Sequence, residues 1–308
     1  LSAVIDAARS ITCNEGDIFL AGGVESMTRA PFVFAKTEQP FSREFKVFDT
    51  TIGSRFPNPI LTEKFGNDSM PQTGDNVARK YNITREEADK FAAASQAKYQ
   101  AAKQAGFFED EITPIAVSQG KKLPPKDVIE DEHPRASSTV DALQKLKPLN
   151  KDGIVTAGNA SGINDGAAAL IIGSAQAEQK LGFKPIAKIL SSGAVGVEPN
   201  IMGVGPVDAI KLALMRADLT LEDMSIIEIN EAFASQVLGC LKGLDLNFDD
   251  KRVNPNGGAI AMGHPLGASG ARIALSTARE LQRTGGKYAV VSLCIGIGQG
   301  LAMVIERV

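Results

Sequence analysis

The sequence has few of the side chains that carry most protein chemistry. Among 308 residues there is no tryptophan, there are two histidines and three cysteines, and aromatic residues make up 6%. Three cysteines without paired spacing predict separate thiols in a reducing compartment, which we take to be the cytoplasm. No group of His and Cys has the spacing of metal ligands, so we expect no metal site.

The sequence also lacks a strong net charge and a long apolar run. With 33 basic and 36 acidic residues its formal net charge is −3, which is not the pattern of a nucleic-acid-binding protein. No apolar run approaches the length of a membrane span, so we expect neither nucleic acid nor membrane as a partner. No signal peptide is visible, and an amphipathic helix is already under way at Leu1. We therefore expect that the beginning of the chain has been removed.

One stretch, 254–273, concentrates the unusual features of the chain. It contains His264, followed by Pro265, and then a helical pattern with apolar residues at Ile273, Leu275, Ala278 and Leu281. The glycines around the histidine are Gly257, Gly258, Gly263, Gly267 and Gly270. Glycine permits close backbone approach, so the pattern predicts a stiff turn at a helix N-terminus that holds His264. A lone histidine in such a turn also suits a purely structural role.

Elsewhere, apolar runs of strand length alternate with helical patterns. Strands are predicted at Asp17–Ala21, Ile226–Ile229 and Tyr288–Leu293, and the run AAALIIG at 167–173 predicts a further, buried strand. This alternation indicates an α/β fold with helices on both sheet faces.

Between these strands lies a region of a different kind. Phe32–Met70 is irregular and too long for an ordinary connection, so we assign it to an inserted functional region. Thr84 and Glu87 form a capping box that begins a helix. Gly120–His133 is charged and contains prolines, which predicts an exposed hairpin or loop.

Three chemically distinctive residues follow predicted strands or begin helices. Asn230 lies in NEAFA at a strand-to-helix junction, and His264 lies in GHPLG. Cys294 ends a strand before a glycine turn, where Gly296 can present its backbone N–H. Each is weak evidence alone, because a buried cysteine often serves as a small apolar residue and an asparagine often caps a helix. Their shared position, where ligand loops of α/β folds lie, predicts one site.

These motifs resemble the thiolase family over essentially the whole chain. The matching stretches are NEAFA, NPNGGAIAMGHPLGASGAR, CIGIGQG, GGVESMTRAP and TAGNASGINDGAAA. The resemblance implies two duplicated halves packed as α-β-α-β-α layers with an inserted loop domain. We assign 1–26 and 160–182 to an incomplete N-terminal half, 27–159 to the loop domain and 183–308 to the C-terminal half.

Within the family, the chain most resembles 3-oxoadipyl-CoA (β-ketoadipyl-CoA) thiolases. The stretches that indicate this are FDTTIGSRF, DSMPQT, DEHPRASSTVDALQKLKP and CIGIGQG. Ser69 stands where acetoacetyl-CoA-specific thiolases typically have a histidine, which argues against a dedicated acetoacetyl-CoA enzyme. Ile297 stands where many thiolases have a glycine.

The resemblance implies that CoA cleaves a 3-oxoacyl-CoA through an acyl-cysteine. His264 would activate the nucleophilic cysteine and help to hold the thioester oxygen of the second substrate. Asn230 would position a water at that oxygen. Cys294 would be the acid/base at the α-carbon of acetyl-CoA, a role that suits a thiol when its pKa is tuned near neutrality. Gly296 would donate in the other oxyanion hole.

The resemblance also implies a set of substrate contacts. Arg135 would lie near the CoA phosphates, Ser161 near the pantetheine arm, and Met70 and Phe233 along the acyl pocket. CoA and acetyl-CoA would be substrates, with no permanently bound cofactor. Thiolases are dimers or tetramers, so we expect a homodimer or homotetramer.

The nucleophilic cysteine of the family aligns a few residues ahead of Leu1. Cys13 lies past the first helix in a polar turn, and Cys240 fits a core position on a helix. We therefore expect residues 1–308 alone to be unable to form the acyl-enzyme.

Three other functions remain open. They are a general acetyl-CoA acetyltransferase or 3-ketoacyl-CoA thiolase, a condensing enzyme of the ketosynthase type, and a non-catalytic acyl-CoA-binding relative of thiolases. Cys294 argues against the ketosynthase type. The retained Asn230, His264 and Cys294 argue against a binding protein.

Overall fold

A computed structural model describes residues 1–182 and 184–308. Phe183, at which the predicted C-terminal half begins, lies outside the described residues. The helices are α1 (Ser2–Thr12), α2 (Pro59–Phe65), α3 (Met70–Tyr81), α4 (Arg85–Gln104), α5 (Val140–Gln144), α6 (Ala175–Leu181), α7 (Gly205–Ala217), α8 (Ala234–Gly243), α9 (Ala259–Met262) and α10 (Leu266–Thr284). The strands are β1 (Ile18–Glu25), β2 (Phe32–Phe34), β3 (Val47–Asp49), β4 (Ile115–Val117), β5 (Lys126–Val128), β6 (Gly166–Gly173), β7 (Ala187–Gly196), β8 (Met224–Ile229), β9 (Tyr288–Ile295) and β10 (Gln299–Arg307).

The larger sheet has four strands in the order β7-β10-β9-β8. β8 and β9 are parallel neighbours, whereas β10 runs antiparallel to both β7 and β9. Because β8 and β9 are parallel, the residues that follow them emerge at the same edge of the sheet. β1 and β6 form a separate antiparallel pair.

Helices α1 and α10 lie between the two sheets. Their buried apolar side chains form one cluster with residues of β1, β8, β9 and β10; its members include Val4, Ile5, Ala21, Ile226, Ala274, Ala278, Leu281, Ala289 and Met303. The first turn of α10 touches β1 directly, because a Cβ on Gly267 would lie 2.2 Å from the Val24 carbonyl oxygen. This contact fixes where α10 begins, and His264 lies two residues before that helix.

The opposite face of the larger sheet is covered by α7 and α8. Ile210 of α7 and Leu241 of α8 pack with Ile227 and Val304 in a second cluster. Burying each such aliphatic side chain contributes about 1.5–3 kcal/mol relative to exposure. The resulting layers confirm the predicted α/β class.

The structure confirms several local predictions. Strands occur at all three predicted positions, β4 and β5 pair as a hairpin, and Thr84 and Glu87 form the capping box that begins α4. The prediction of a buried strand at 167–173 is wrong in its burial. Residues of β6 alternate between half-buried and exposed, because β6 belongs to a two-stranded sheet with one face open. In the part of the chain that the structure describes, no helix combines the length and apolar character needed to cross a bilayer.

Candidate active site

Asn230 and Cys294 lie at the same edge of the larger sheet. The backbone N–H of Asn230, just past β8, donates to the Ser292 carbonyl of β9 at 2.9 Å. Cys294 lies two residues farther along β9 and is 8% exposed. Asn230 is almost completely buried, and its Oδ1 has no hydrogen-bond donor among the described residues. Asn230 therefore presents a buried hydrogen-bond acceptor at this edge of the sheet.

His264 faces Asn230 from the loop between α9 and α10. Its Nε2 lies 3.2 Å from Asn230 Nδ2, and its Nδ1 lies 2.6 Å from the Ser269 hydroxyl. Its backbone N–H donates to Asn164 Oδ1 at 3.1 Å. Gly263 has φ +94°, and a Cβ there would lie 2.4 Å from Asn164 Oδ1. The predicted glycine-containing turn at a helix N-terminus is thus confirmed, since Gly263 has a positive φ and α10 begins at Leu266, two residues after His264.

The imidazole of His264 is neutral at pH 7. Burial, with a smaller contribution from the positive charge of Arg272, lowers the pKa of His264 to about 4. A neutral imidazole has one nitrogen that carries a lone pair, which is what a general base requires.

Cys294 departs from the expectation of a thiol tuned near neutrality. Burial raises the pKa of the Cys294 thiol to about 12, and this outweighs a backbone hydrogen bond that favours the thiolate. The expectation was wrong for the protein without substrate, since the apolar strand surroundings keep sulfur protonated. Cys294 therefore carries its proton at neutral pH, and its role as an acid/base stays a prediction.

Gly296 lies in the turn between β9 and β10. Among the described residues, apart from its two chain neighbours, no atom lies within 4 Å of the position that its Cβ would take, so the space beside this residue is open. Its role as an oxyanion-hole donor stays a prediction.

The four predicted substrate-contact residues lie on segments that touch one another. Ser161 donates its N–H to the Ala232 carbonyl at 2.9 Å, so its loop pairs with the segment that follows Asn230. The Phe233 ring packs on Gly74 of α3, one turn from Met70, the first residue of that helix. The segment that carries Arg135 also reaches this loop, because His133 packs against Gly162. Arg135 is exposed to solvent.

A buried carboxylate that sequence reasoning missed holds the site together. Glu231, beside Asn230, accepts hydrogen bonds from Ser95 Oγ (2.6 Å), Asn254 Nδ2 (2.9 Å) and the Ile260 N–H (3.2 Å). It thereby ties the end of β8 to α4 and to the stretch before His264. In the sequence, the signal that could have pointed to Glu231 was its position directly after Asn230. Ser269 and Asn164 gave none, because neither stands out in its sequence surroundings.

The remaining cysteines lie away from this arrangement. Cys13 is exposed at the end of α1, and Cys240 is buried within α8 in the core, as expected for both. Over residues 1–182 and 184–308, no group of three or more His, Cys, Asp or Glu side chains could hold a metal ion.

Comparisons with known proteins give one consistent result. The family "Thiolase, N-terminal domain" matches residues 1–176, and "Thiolase, C-terminal domain" matches residues 183–307. A β-ketoadipyl-CoA thiolase of Acinetobacter baylyi is 53% identical over 309 residues, which cover 100% of this chain and 77% of the relative. The 3-oxoadipyl-CoA/3-oxo-5,6-dehydrosuberyl-CoA thiolase of Escherichia coli is 52% identical with the same coverage. The crystal structure of human mitochondrial 3-ketoacyl-CoA thiolase in complex with CoA superposes with a TM-score of 0.90 at 43% identity, covering 100% of this chain and 75% of the human chain.

Proposed function

The chain belongs to the thiolase family of acyltransferases, and from this we propose that its site performs the CoA-dependent cleavage of 3-oxoacyl-CoA thioesters. The observation that carries the proposal is the 3.2 Å approach of Asn230 Nδ2 to His264 Nε2. It occurs at the sheet edge where Cys294 lies. This brings a base, a polar amide and a thiol to one place.

Each bond change has a group suited to it. The nucleophilic cysteine loses its proton to His264 Nε2 and attacks the C3 carbonyl carbon of the substrate. The C2–C3 bond then breaks, its electron pair stays on C2 as the enolate of acetyl-CoA, and the Cys294 S–H protonates C2. The thiol of free CoA then loses its proton to the Cys294 thiolate and attacks the acyl-cysteine, which releases the shortened acyl-CoA, and the nucleophilic cysteine takes its proton back from His264.

His264 serves both half-reactions because its Nε2 changes role. As a lone-pair acceptor it takes the proton of the nucleophile, and once protonated it donates to the thioester oxygen of acetyl-CoA. A water held by the buried Asn230 Oδ1 is the second donor to that oxygen. Gly296 N–H belongs to the other oxyanion hole, where one donor is worth about 3 kcal/mol.

Substrate contacts follow from the same arrangement. The guanidinium of the exposed Arg135 suits the phosphates of CoA, since it forms paired hydrogen bonds to their oxygens. Ser161 contacts the pantetheine arm, and Met70 and Phe233 line the acyl chain. CoA and acetyl-CoA are substrates, and no cofactor stays bound.

The substrate we favour is 3-oxoadipyl-CoA, cleaved to succinyl-CoA and acetyl-CoA. Support comes from relatives of that name at 53% and 52% identity. The alternative is a general 3-ketoacyl-CoA thiolase, which the similarity to the human enzyme supports.

The first residue of the chain lies close to the helix that follows His264. The Leu1 nitrogen would lie 2.1 Å from a Cβ on Gly270, so the chain at this point runs beside the first turns of α10, near His264.

The proposed function is accompanied by assignments of the domains, the self-association and the location of the protein. We assign the N-terminal half to residues 1–26 and 160–182, the loop domain to residues 27–159 and the C-terminal half to residues 183–308. The protein self-associates as a dimer or tetramer, supported by exposed apolar side chains on one face of β1 and β6, among them Leu20, Val24 and Ile171. Its three free thiols suit a cytoplasmic location.

The test uses two substrates of equal chain length on the natural protein that contains this chain. 3-Oxoadipyl-CoA carries a terminal carboxylate, which 3-oxohexanoyl-CoA lacks. We expect kcat/KM to favour 3-oxoadipyl-CoA at least about ten-fold, because a site built to pair with a polar group discriminates strongly against its absence. A preference for 3-oxohexanoyl-CoA would establish the general thiolase, and CoA binding without cleavage of either would establish the non-catalytic relative.

A further inference from the structure

Ser269 is a buried hydroxyl in contact with the site histidine. It lies in the first turn of α10, is fully buried, and its Oγ is 2.6 Å from His264 Nδ1. The same Oγ is 3.0 Å from the Pro265 carbonyl oxygen. A carbonyl oxygen can only accept, so the geometry allows the single hydroxyl proton of Ser269 to be donated to Pro265, whose carbonyl also accepts the backbone N–H groups of Ala268 and Ser269 at 2.9 and 2.8 Å.

With its proton so used, Ser269 can only accept from His264. The Nδ1 of His264 must then carry the imidazole proton, and Nε2 must carry the lone pair. The neighbour of Nε2 agrees, since Asn230 presents the donor atom Nδ2 at 3.2 Å. The opposite tautomer needs two changes at once, a reversed Asn230 amide and a Ser269 hydroxyl turned away from Pro265.

We propose that Ser269 is a positioning residue that fixes the His264 ring and holds it as the Nδ1–H tautomer. The lone pair of Nε2 is thereby aimed at the space beside Asn230 before any substrate binds. Lowering of the pKa of His264 to about 4 keeps the ring neutral, which is the state in which a tautomer is defined. The catalytic benefit rests on the proposed function, whereas the tautomer itself does not.

The other histidine provides an internal reference of the opposite kind. His133 Nε2 lies 3.2 Å from the Ile260 carbonyl oxygen, which accepts only, so this ring is the Nε2–H tautomer. The chain has two histidines in all. In a ¹⁵N spectrum of histidine-labelled protein, these two rings should therefore carry the proton on opposite nitrogens.

The experiment is ¹⁵N NMR of the histidine-labelled protein at pH 7.5, with His133→Gln used to assign the two rings. We expect His264 as Nδ1–H in the wild type and a shift toward Nε2–H in Ser269→Ala. Ser276→Ala is the matched control, because Ser276 lies farther along α10 and bonds Glu111 at 2.8 Å. It should leave the His264 signals unchanged.

Two results would overturn the proposal: a wild-type His264 that is Nε2–H, or an unchanged tautomer in Ser269→Ala. The wild-type spectrum decides even where that variant does not fold. Because the spectrum needs no turnover, failure of the tautomer assignment is distinguishable from failure of the thiolase assignment.

Discussion

Ile297 adopts a backbone conformation that suits glycine better than a β-branched residue. Its φ is +67°, and its side chain is 81% exposed in the turn between β9 and β10. The left-handed conformation costs a non-glycine residue about 1–2 kcal/mol. Almost no burial offsets that cost, and this is a physical reason for the glycine that many thiolases have here.

Replacing Ile297 with glycine should therefore stabilise the fold. Relief of the left-handed strain outweighs the greater freedom of glycine in the unfolded chain, which costs about 0.4–1 kcal/mol. We expect a net gain of about 0.5–1 kcal/mol in the free energy of unfolding, measured by urea denaturation. Ile297→Val keeps the β-branch and should change little. A less stable Ile297→Gly would refute the strain argument.

At the scale of single residues, the sequence predicted which residues form the site better than it predicted their protonation states. The approach of Asn230 to His264 follows from motif positions, because the strand end and the helix start meet at one sheet edge. The protonation of Cys294 could not be predicted, since burial by strands distant in sequence raises its pKa. Ser269 was missed because its significance lies in two contacts that only the folded first turn of α10 creates.

At the scale of elements, β8 and α10 enclose a carboxyl group that sequence reasoning did not single out. Glu228 of β8 is 6% exposed. Burial raises the pKa of Glu228 to about 8, and Glu231 and Glu111 add to the increase while Arg272 and Lys98 oppose it. The folded protein therefore keeps a proton on Glu228 that the unfolded chain releases near pH 4.3.

This difference predicts how stability varies with pH. The contribution of Glu228 is fully present below about pH 4.3 and is lost as pH rises toward about 8, where the folded carboxyl ionises. Glu228→Gln cannot ionise, so its urea midpoint should fall less than that of wild type between pH 5.5 and 8.5. The exposed Glu222→Gln should follow wild type. Parallel curves for wild type and Glu228→Gln would contradict the assignment.

Element prediction succeeded where a local signal existed. The capping box of α4 and the apolar residues at helical spacing in α10 predict these helices from local sequence alone. The four-residue α9 had no such signal, because glycines flank it and Ile260 bonds through its N–H to Glu231. The open face of β6 was also not predictable, since an apolar run does not reveal how many strands will pair with it.

At the scale of the molecule, the layers explain why one site draws on distant segments. The parallel strands β8 and β9 deliver Asn230 and Cys294 to one edge. Helix α10, held between the two sheets, places His264 against that edge. The loop that carries Ser161 pairs with the segment after Asn230. The α/β class was predictable from alternation, whereas these contacts between layers required the structure.

The most direct test of this account is the formation of acetyl-CoA from 3-oxoadipyl-CoA and CoA by the natural protein that contains this chain. Wild type is compared with His264→Ala and Cys294→Ala under identical conditions. We expect acetyl-CoA and succinyl-CoA in equal amounts from wild type, and a loss of about 100-fold or more in kcat for each variant. Wild-type rates in either variant, or no acetyl-CoA from wild type, would contradict the assignment of this site.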